Sequence, residues 1–155
     1  RRRRYIDVDD VLFFEEDNTK LVVVPAKRFC VSCTVKFGTN QLACQHMDLE
    51  VTRDAFADEL SKARTFCLYQ EIEMLIKANL ILGGSLDNAV VIKDDVVLSK
   101  EGLRYPDEFV RHKMLDIVGD FYLLGGQLRG QVIAVRPGHR ANIAMARKIR
   151  ERFGE

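Results

Sequence analysis

His112 and Asp116 stand four residues apart, so on a helix an imidazole nitrogen and a carboxylate oxygen project from successive turns and can reach one metal ion. Winding the segment at about 100° per residue, with His112 at zero, puts Asp116 at about 40°, Asp120 at about 80°, Lys113 at about 100° and Gly119 at about 340°. These five share one face, while Val110, Met114, Ile117 and Phe121 form an apolar stripe opposite it. A solvated face usually spreads Lys, Glu and Arg widely. Here His, Lys, Asp and Asp crowd into one arc with a glycine that gives access, as a closely approaching ligand requires. Spacing alone leaves two readings open: a pair of metal ligands, or an ordinary His–Asp pair worth a few tenths of a kcal/mol.

Two other groups could join this chemistry. His139 follows Pro137-Gly138, a turn able to aim its ring back at the helix, which makes it a candidate acid/base group. The alternative is an exposed neighbour of a helix N-cap. Thr65, in Arg64-Thr65-Phe66 at the end of an expected helix, either donates its hydroxyl to an oxyanion or caps the next helix. The set Cys30-x-x-Cys33 and Cys44-x-His46 outlines a zinc ribbon. Periodicity opposes that reading, because Phe29, Val31, Cys33, Val35 and Phe37 alternate with polar neighbours as in a strand with one buried face. Cys30 and Cys33 then point opposite ways, and no Gly or Pro makes a knuckle between Lys27 and Phe37. The cysteines are read as structural, free thiols of a reduced cytoplasmic protein.

The elements that must position these residues read as α+β, an antiparallel sheet packed against helices with a small strand-helix-strand insert over about 66–98. Strands are expected over Tyr5 to Phe14, Leu21 to Val24, Phe29 to Phe37 and Gln45 to Val51, with a polar turn at 15–18. Thr52 caps a helix from Arg53 to Ala63, and a second runs from about Tyr69 to Ala78, ended by Asn79. Gly83-Gly84-Ser85 precedes a strand over Asn88 to Lys93, and Asp94-Asp95 turns the chain toward Val96-Val97-Leu98. Pro106 at a first helical position, with Asp107 and Glu108 favouring the positive dipole end, opens a helix to about Leu124 that Gly125-Gly126 stops. Gln131 to Val135 is a strand, and Arg140 to Arg150 a final basic helix.

With 155 residues the chain is the size of one domain, read here as 1–155 without internal boundary. Its 24 Lys+Arg against 23 Asp+Glu give a net charge of +1, which offers nothing toward nucleic acid or an anionic membrane surface. A composition 47% hydrophobic and 30% charged is that of a globular protein. No stretch has the apolar length of a membrane span, and Arg1 to Arg4 are followed by no signal-peptide core. The expected location is cytoplasmic. Four arginines and no Met make an odd start, so the chain is expected to be excised from something longer.

Taken together, Ser85-Leu86-Asp87-Asn88-Ala89-Val90-Val91, Glu101-Gly102-Leu103-Arg104-Tyr105, the run Asp107 to Asp116, Gly119-Asp120 and Gly138-His139 resemble the zinc-dependent UDP-3-O-acyl-N-acetylglucosamine deacetylases of lipid A biosynthesis in Gram-negative bacteria. The likeness extends back through Ala63-Arg64-Thr65-Phe66 and covers the whole chain, yet only the C-terminal half of the family's enzyme, in which two similar α+β halves sandwich the active site. It implies that His112 and Asp116 are zinc ligands, that a missing N-terminal half supplies a third, histidine ligand and a glutamate base, and that Asp120 supports a catalytic His139. Lys113 matches an active-site position, and Thr65 the threonine that helps hold the oxyanion. The implied chemistry is hydrolysis of the substrate's acetamide, zinc polarising the carbonyl and activating water while His139 protonates the leaving amine.

The resemblance further implies a passage for the acyl chain, lined by Phe66, Tyr69, Ile72, Ile81, Leu86, Ala89 and Val91, although a plain core would have the same pattern. Phe37 falls where the family places a ring near the uracil, and Arg136, with Lys113, near the nucleotide. The fragment alone is expected to bind zinc weakly and to turn over little. The alternative is a non-catalytic module that binds UDP-sugar or acyl chain and assembles with a partner. A dehydratase fused beyond Glu155, as in some relatives, is left open.

Overall fold

The computed structural model describes residues 4–36, 44–77, 89–93 and 96–154. Phe37, Asn79, Ile81, the glycine pair at 83–84, Leu86 and the turn at 94–95 lie outside the described residues.

Strands β1 (Tyr5–Asp7), β2 (Leu12–Glu16), β3 (Thr19–Val24), β4 (Phe29–Lys36), β5 (Cys44–Glu50) and β9 (Gln127–Val135) make one sheet, ordered β2-β3-β9-β4-β5, with β1 also on β9. A smaller sheet joins β6 (Thr65–Leu68), β7 (Ala89–Lys93) and β8 (Val96–Leu98). The helices are α1 (Arg53–Ala55), α2 (Tyr69–Lys77), α3 (Glu108–Tyr122) and α4 (His139–Phe153). The α+β class is as expected, with one refinement: β9 runs parallel to both β1 and β4, so the sheet is mixed.

Alternation builds the core. Leu21 and Val23 on β3, Val31, Cys33 and Val35 on β4, and Val132 and Ala134 on β9 are buried on the face that α3 and α4 cover. The helices contribute Val110, Met114, Ile117 and Phe121 from α3, the expected stripe, and Ala141, Met145 and Ile149 from α4. Cys33 is thus a core thiol, its pKa pushed up to about 12 by burial. Cys30 and Cys33 both lie on the regular strand β4, three residues apart, rather than on a metal-binding knuckle, and Cys44 and His46 lie on β5. His46 instead bonds to Thr34 (Oγ1 to Nδ1, 2.8 Å) and Asp48 (Nε2 to Oδ2, 3.0 Å).

Several boundaries differ from expectation. The first strand breaks at Val8–Val11, and the turn narrows to Asp17–Asn18, Asp17 taking the left-handed conformation (φ 51) and leaving Glu15 and Glu16 in β2. Thr52 caps as expected, its Oγ1 accepting from Ala55 N at 3.1 Å, but α1 widens after one turn into a π-helical turn over Phe56–Leu60. There Leu60 is fully buried while the Glu59 carbonyl accepts from Arg111 of α3 at 3.0 Å, tying the widened turn to the core. Pro106 is not the first helical residue. It sits in a turn before Asp107, and α3 begins at Glu108. Gly125 ends the α3 region at φ +70, as a glycine after a helix does. Strand β9 starts at Gln127 rather than Gln131, because its first residues pair with β1.

Candidate metal and acid–base centre

Helix α3 carries the ionisable arc, and the arc is largely buried: side-chain exposure is 15% for His112, 21% for Lys113, 7% for Asp116 and 13% for Asp120. The apolar stripe holds the helix to the sheet, so the direction of the arc is fixed by the packing of the helix. Gly119 adds open room, since a Cβ there would meet nothing within 4 Å.

Asp116 is shared by three groups. Its Oδ2 accepts from Lys113 Nζ at 2.9 Å, which leaves Oδ1 facing His112 Nε2 at 3.4 Å and His139 Nε2 at 3.9 Å. A separation of 3.4 Å is long for a hydrogen bond, but two donors each about 2.1 Å from one tetrahedral ion stand roughly that far apart. The other imidazole nitrogen, His112 Nδ1, is buried with no well-formed hydrogen bond among the described residues, the Ala63 backbone approaching without completing one. Burial pushes the His112 pKa down against the pull of Asp116, which favours the neutral ring with a free lone pair. The ring also packs edge-on against Phe66, centroids 5.9 Å apart. The pair therefore fits part of a metal's donor set and cannot complete one.

His139 opens α4 and reaches back to α3 across the turn at Pro137-Gly138, as its position led one to expect. Its Nδ1 lies 2.9 and 3.1 Å from the two Asp120 oxygens. An ionised carboxylate only accepts, so Nδ1 carries the proton and Nε2 is left free. Asp120 Oδ2 also accepts from Asn142 Nδ2 at 2.9 Å.

Thr65 is neither in a helix nor a cap. It is the exposed first residue of β6, opposite Ala89 in a parallel pair, directly before Phe66. Arg64, the residue before it, is buried against Glu108: Nε donates to Oε1 at 2.9 Å and Nη2 to Oε2 at 3.0 Å. Glu108 also accepts from the backbone N–H of Arg64 and of Arg104. Glu108 stands in the first turn of α3, as expected of a dipole partner, and because it is fully buried its carboxylate also needs those four donors. Sequence reasoning missed Arg64, Glu108 and Asn142. The Arg64–Glu108 pair joins residues 44 apart and Asn142 meets Asp120 from another helix, so neither leaves a local pattern.

Of the residues assigned to substrate binding, Phe66 touches His112 and packs tilted against Phe109, ring centroids 4.9 Å apart. Ala89 is half-buried and Val91 buried on β7, while Tyr69, 39% exposed, carries Lys93 Nζ 4.5 Å over its ring, and Ile72 is half-buried on α2. Arg136 is exposed beside the His139 turn in the left-handed conformation (φ 52), its N–H donating to Thr34 O at 2.8 Å. No helix among the described residues is long and apolar enough to cross a membrane.

The family model for UDP-3-O-acyl N-acetylglycosamine deacetylase matches residues 1–151. Proteins named UDP-3-O-acyl-N-acetylglucosamine deacetylase are similar along nearly the whole chain. That of Phenylobacterium zucineum is 41% identical over 97% of this chain and 51% of its own length. That of Anaeromyxobacter sp. is 42% identical over 95% and 48%, and that of Chlamydia muridarum 40% identical over 90% and 49%. The chain spans about half the length of these curated relatives.

Proposed function

The chain belongs to the UDP-3-O-acyl N-acetylglycosamine deacetylase family, and from that premise we propose that it forms one half, a single domain over 1–155 with an insert at about 66–98, of a zinc-dependent amidohydrolase. The substrate is UDP-3-O-acyl-N-acetylglucosamine, the reaction the hydrolysis of its acetamide on the way to lipid A, and the setting the cytoplasm, where the free thiols stay reduced. The observation that carries the reading is the 3.4 Å approach of His112 Nε2 to Asp116 Oδ1 on a buried helix face.

In this reading His112 and Asp116 hold zinc, and sequence outside this chain completes the donor set and supplies the general base. Bound zinc would polarise the acetamide carbonyl and lower the pKa of a water. The chain's own groups do the rest. Lys113 neutralises the second Asp116 oxygen and keeps the first turned inward. Thr65 offers its hydroxyl to the oxyanion as the carbonyl carbon becomes tetrahedral. Asp120 holds the Nδ1–H of His139, so that Nε2 carries the proton given to the departing amine.

Phe66, Tyr69, Ile72, Ala89 and Val91, joined by Ile81 and Leu86, receive the acyl chain. Phe37 is assigned to the uracil, and Arg136 with Lys113 to the nucleotide. Metal analysis of a protein carrying both halves, read beside a deacetylase assay on UDP-3-O-acyl-N-acetylglucosamine, tests the proposal. Stoichiometric zinc with acetate release supports it; full activity after zinc is removed, or bound zinc with no acetate released, overturns it.

A further inference from the structure

We propose that Asn142 is a positioning residue for His139, acting through Asp120; the inference rests on the deacetylase reading above. His139 is 65% exposed, so packing does not fix its ring, and its Nδ1 is held by Asp120 alone among the described residues. Asp120 therefore sets the direction of His139 Nε2, and a carboxylate with one partner is free to turn about its last torsion. Asn142 removes that freedom. Its side chain is fully buried on the first turn of α4, and its Nδ2 donates at 2.9 Å to the same Asp120 Oδ2 that His139 Nδ1 meets at 2.9 Å. The assignment of nitrogen rather than oxygen to that contact follows from the carboxylate, which only accepts.

Asn142 also fixes the other end of the arrangement. Its backbone N–H donates to the Gly138 carbonyl at 2.9 Å, so one residue pins both the turn that launches His139 and the carboxylate that receives it. The remaining amide oxygen, Oδ1, is buried without a hydrogen-bond partner in the described structure, a desolvation cost that an apolar side chain would avoid. A polar group kept at that cost, with its one bond on Asp120, has its use there.

The test uses a protein carrying both halves, loaded with zinc. In the wild type, nitrogen-resolved proton spectra are expected to show slowly exchanging Asn142 side-chain amide protons and a downfield His139 Nδ1–H. Asn142→Leu, with the same branching and number of heavy atoms but no donor, is expected to lower kcat by about 10- to 100-fold while KM and zinc content hold and the His139 Nδ1–H signal disappears. Asn142→Ser, whose hydroxyl can donate, should fall between them.

A kcat that drops only in step with zinc content, or a Nδ1–H signal and kcat that both survive in Asn142→Leu, overturns the assignment. Should Asn142→Leu fail to fold, the wild-type spectrum decides, because Asn142 amide protons exchanging as fast as exposed ones refute the bond. A wild type that releases no acetate sinks the deacetylase reading instead, and the spectra still judge the positioning.

Discussion

On the proposed reading His112 is one of two metal donors, so in a protein carrying both halves His112→Ala is expected to lower deacetylation and bound zinc together, each by at least about 100-fold. Metal analysis alongside the assay checks it, and unchanged zinc content would remove His112 from the metal. His139→Ala should behave differently: turnover falls by about 10²- to 10⁴-fold with zinc retained, because Asp120 and the turn give the ring to proton transfer. Parallel loss of zinc would make His139 a ligand. The arc of His112, Lys113, Asp116 and Asp120 was legible in the sequence because helical period alone gathers it and the apolar stripe alone orients it. Asn142 was not, since one buried amide in a basic helix leaves no periodic trace, and its meaning depends on Asp120 arriving from another element.

Between elements, the Arg64–Glu108 pair clamps the start of β6 to the first turn of α3, which places Phe66 beside His112. Burial alone would raise the Glu108 pKa, but the Arg64 side chain and the Arg64 and Arg104 backbone N–H groups outweigh it and hold the carboxyl below the ordinary range. A carboxylate lowered in the folded state stabilises fully above its unfolded pKa, about 4.3, and that contribution is lost as pH falls through the lower folded value. Glu108→Gln should therefore flatten the acid limb of a stability–pH curve measured by urea unfolding, the gap to wild type closing below about pH 4. Glu108→Ala leaves a buried guanidinium without its partner and is expected to cost about 3–5 kcal/mol. A loss under 1 kcal/mol would show that water or another group replaces the carboxylate. The strand-helix-strand insert was legible and stands as β6-α2-β7, but not the start of β6 at Thr65, because four residues are too few to show alternation.

For the molecule as a whole, an ionisable face that is buried yet incomplete sets the expectation for the chain by itself. On the proposed reading, in which this chain gives two of the metal donors and the other half the rest and the base, it should hold zinc far more weakly than a protein carrying both halves and give no acetate above background; mixing in the complementary half should raise zinc affinity and melting temperature together. Calorimetric titration with zinc, with and without that half, checks this, and tight binding by the chain alone would contradict it. Strand β9 adds a matter of timing. It is hydrogen-bonded to β1, β3 and β4, all made more than a hundred residues earlier, and it runs straight into the turn that carries His139. Emerging polypeptide cannot close its main sheet until that late strand has left the ribosome, so the greasy sides of β3 and β4 wait uncovered meanwhile. Slow closure of this sheet is the expected consequence of that topology, and His139 can be aligned on Asp120 only once β9 and the turn after it have been made.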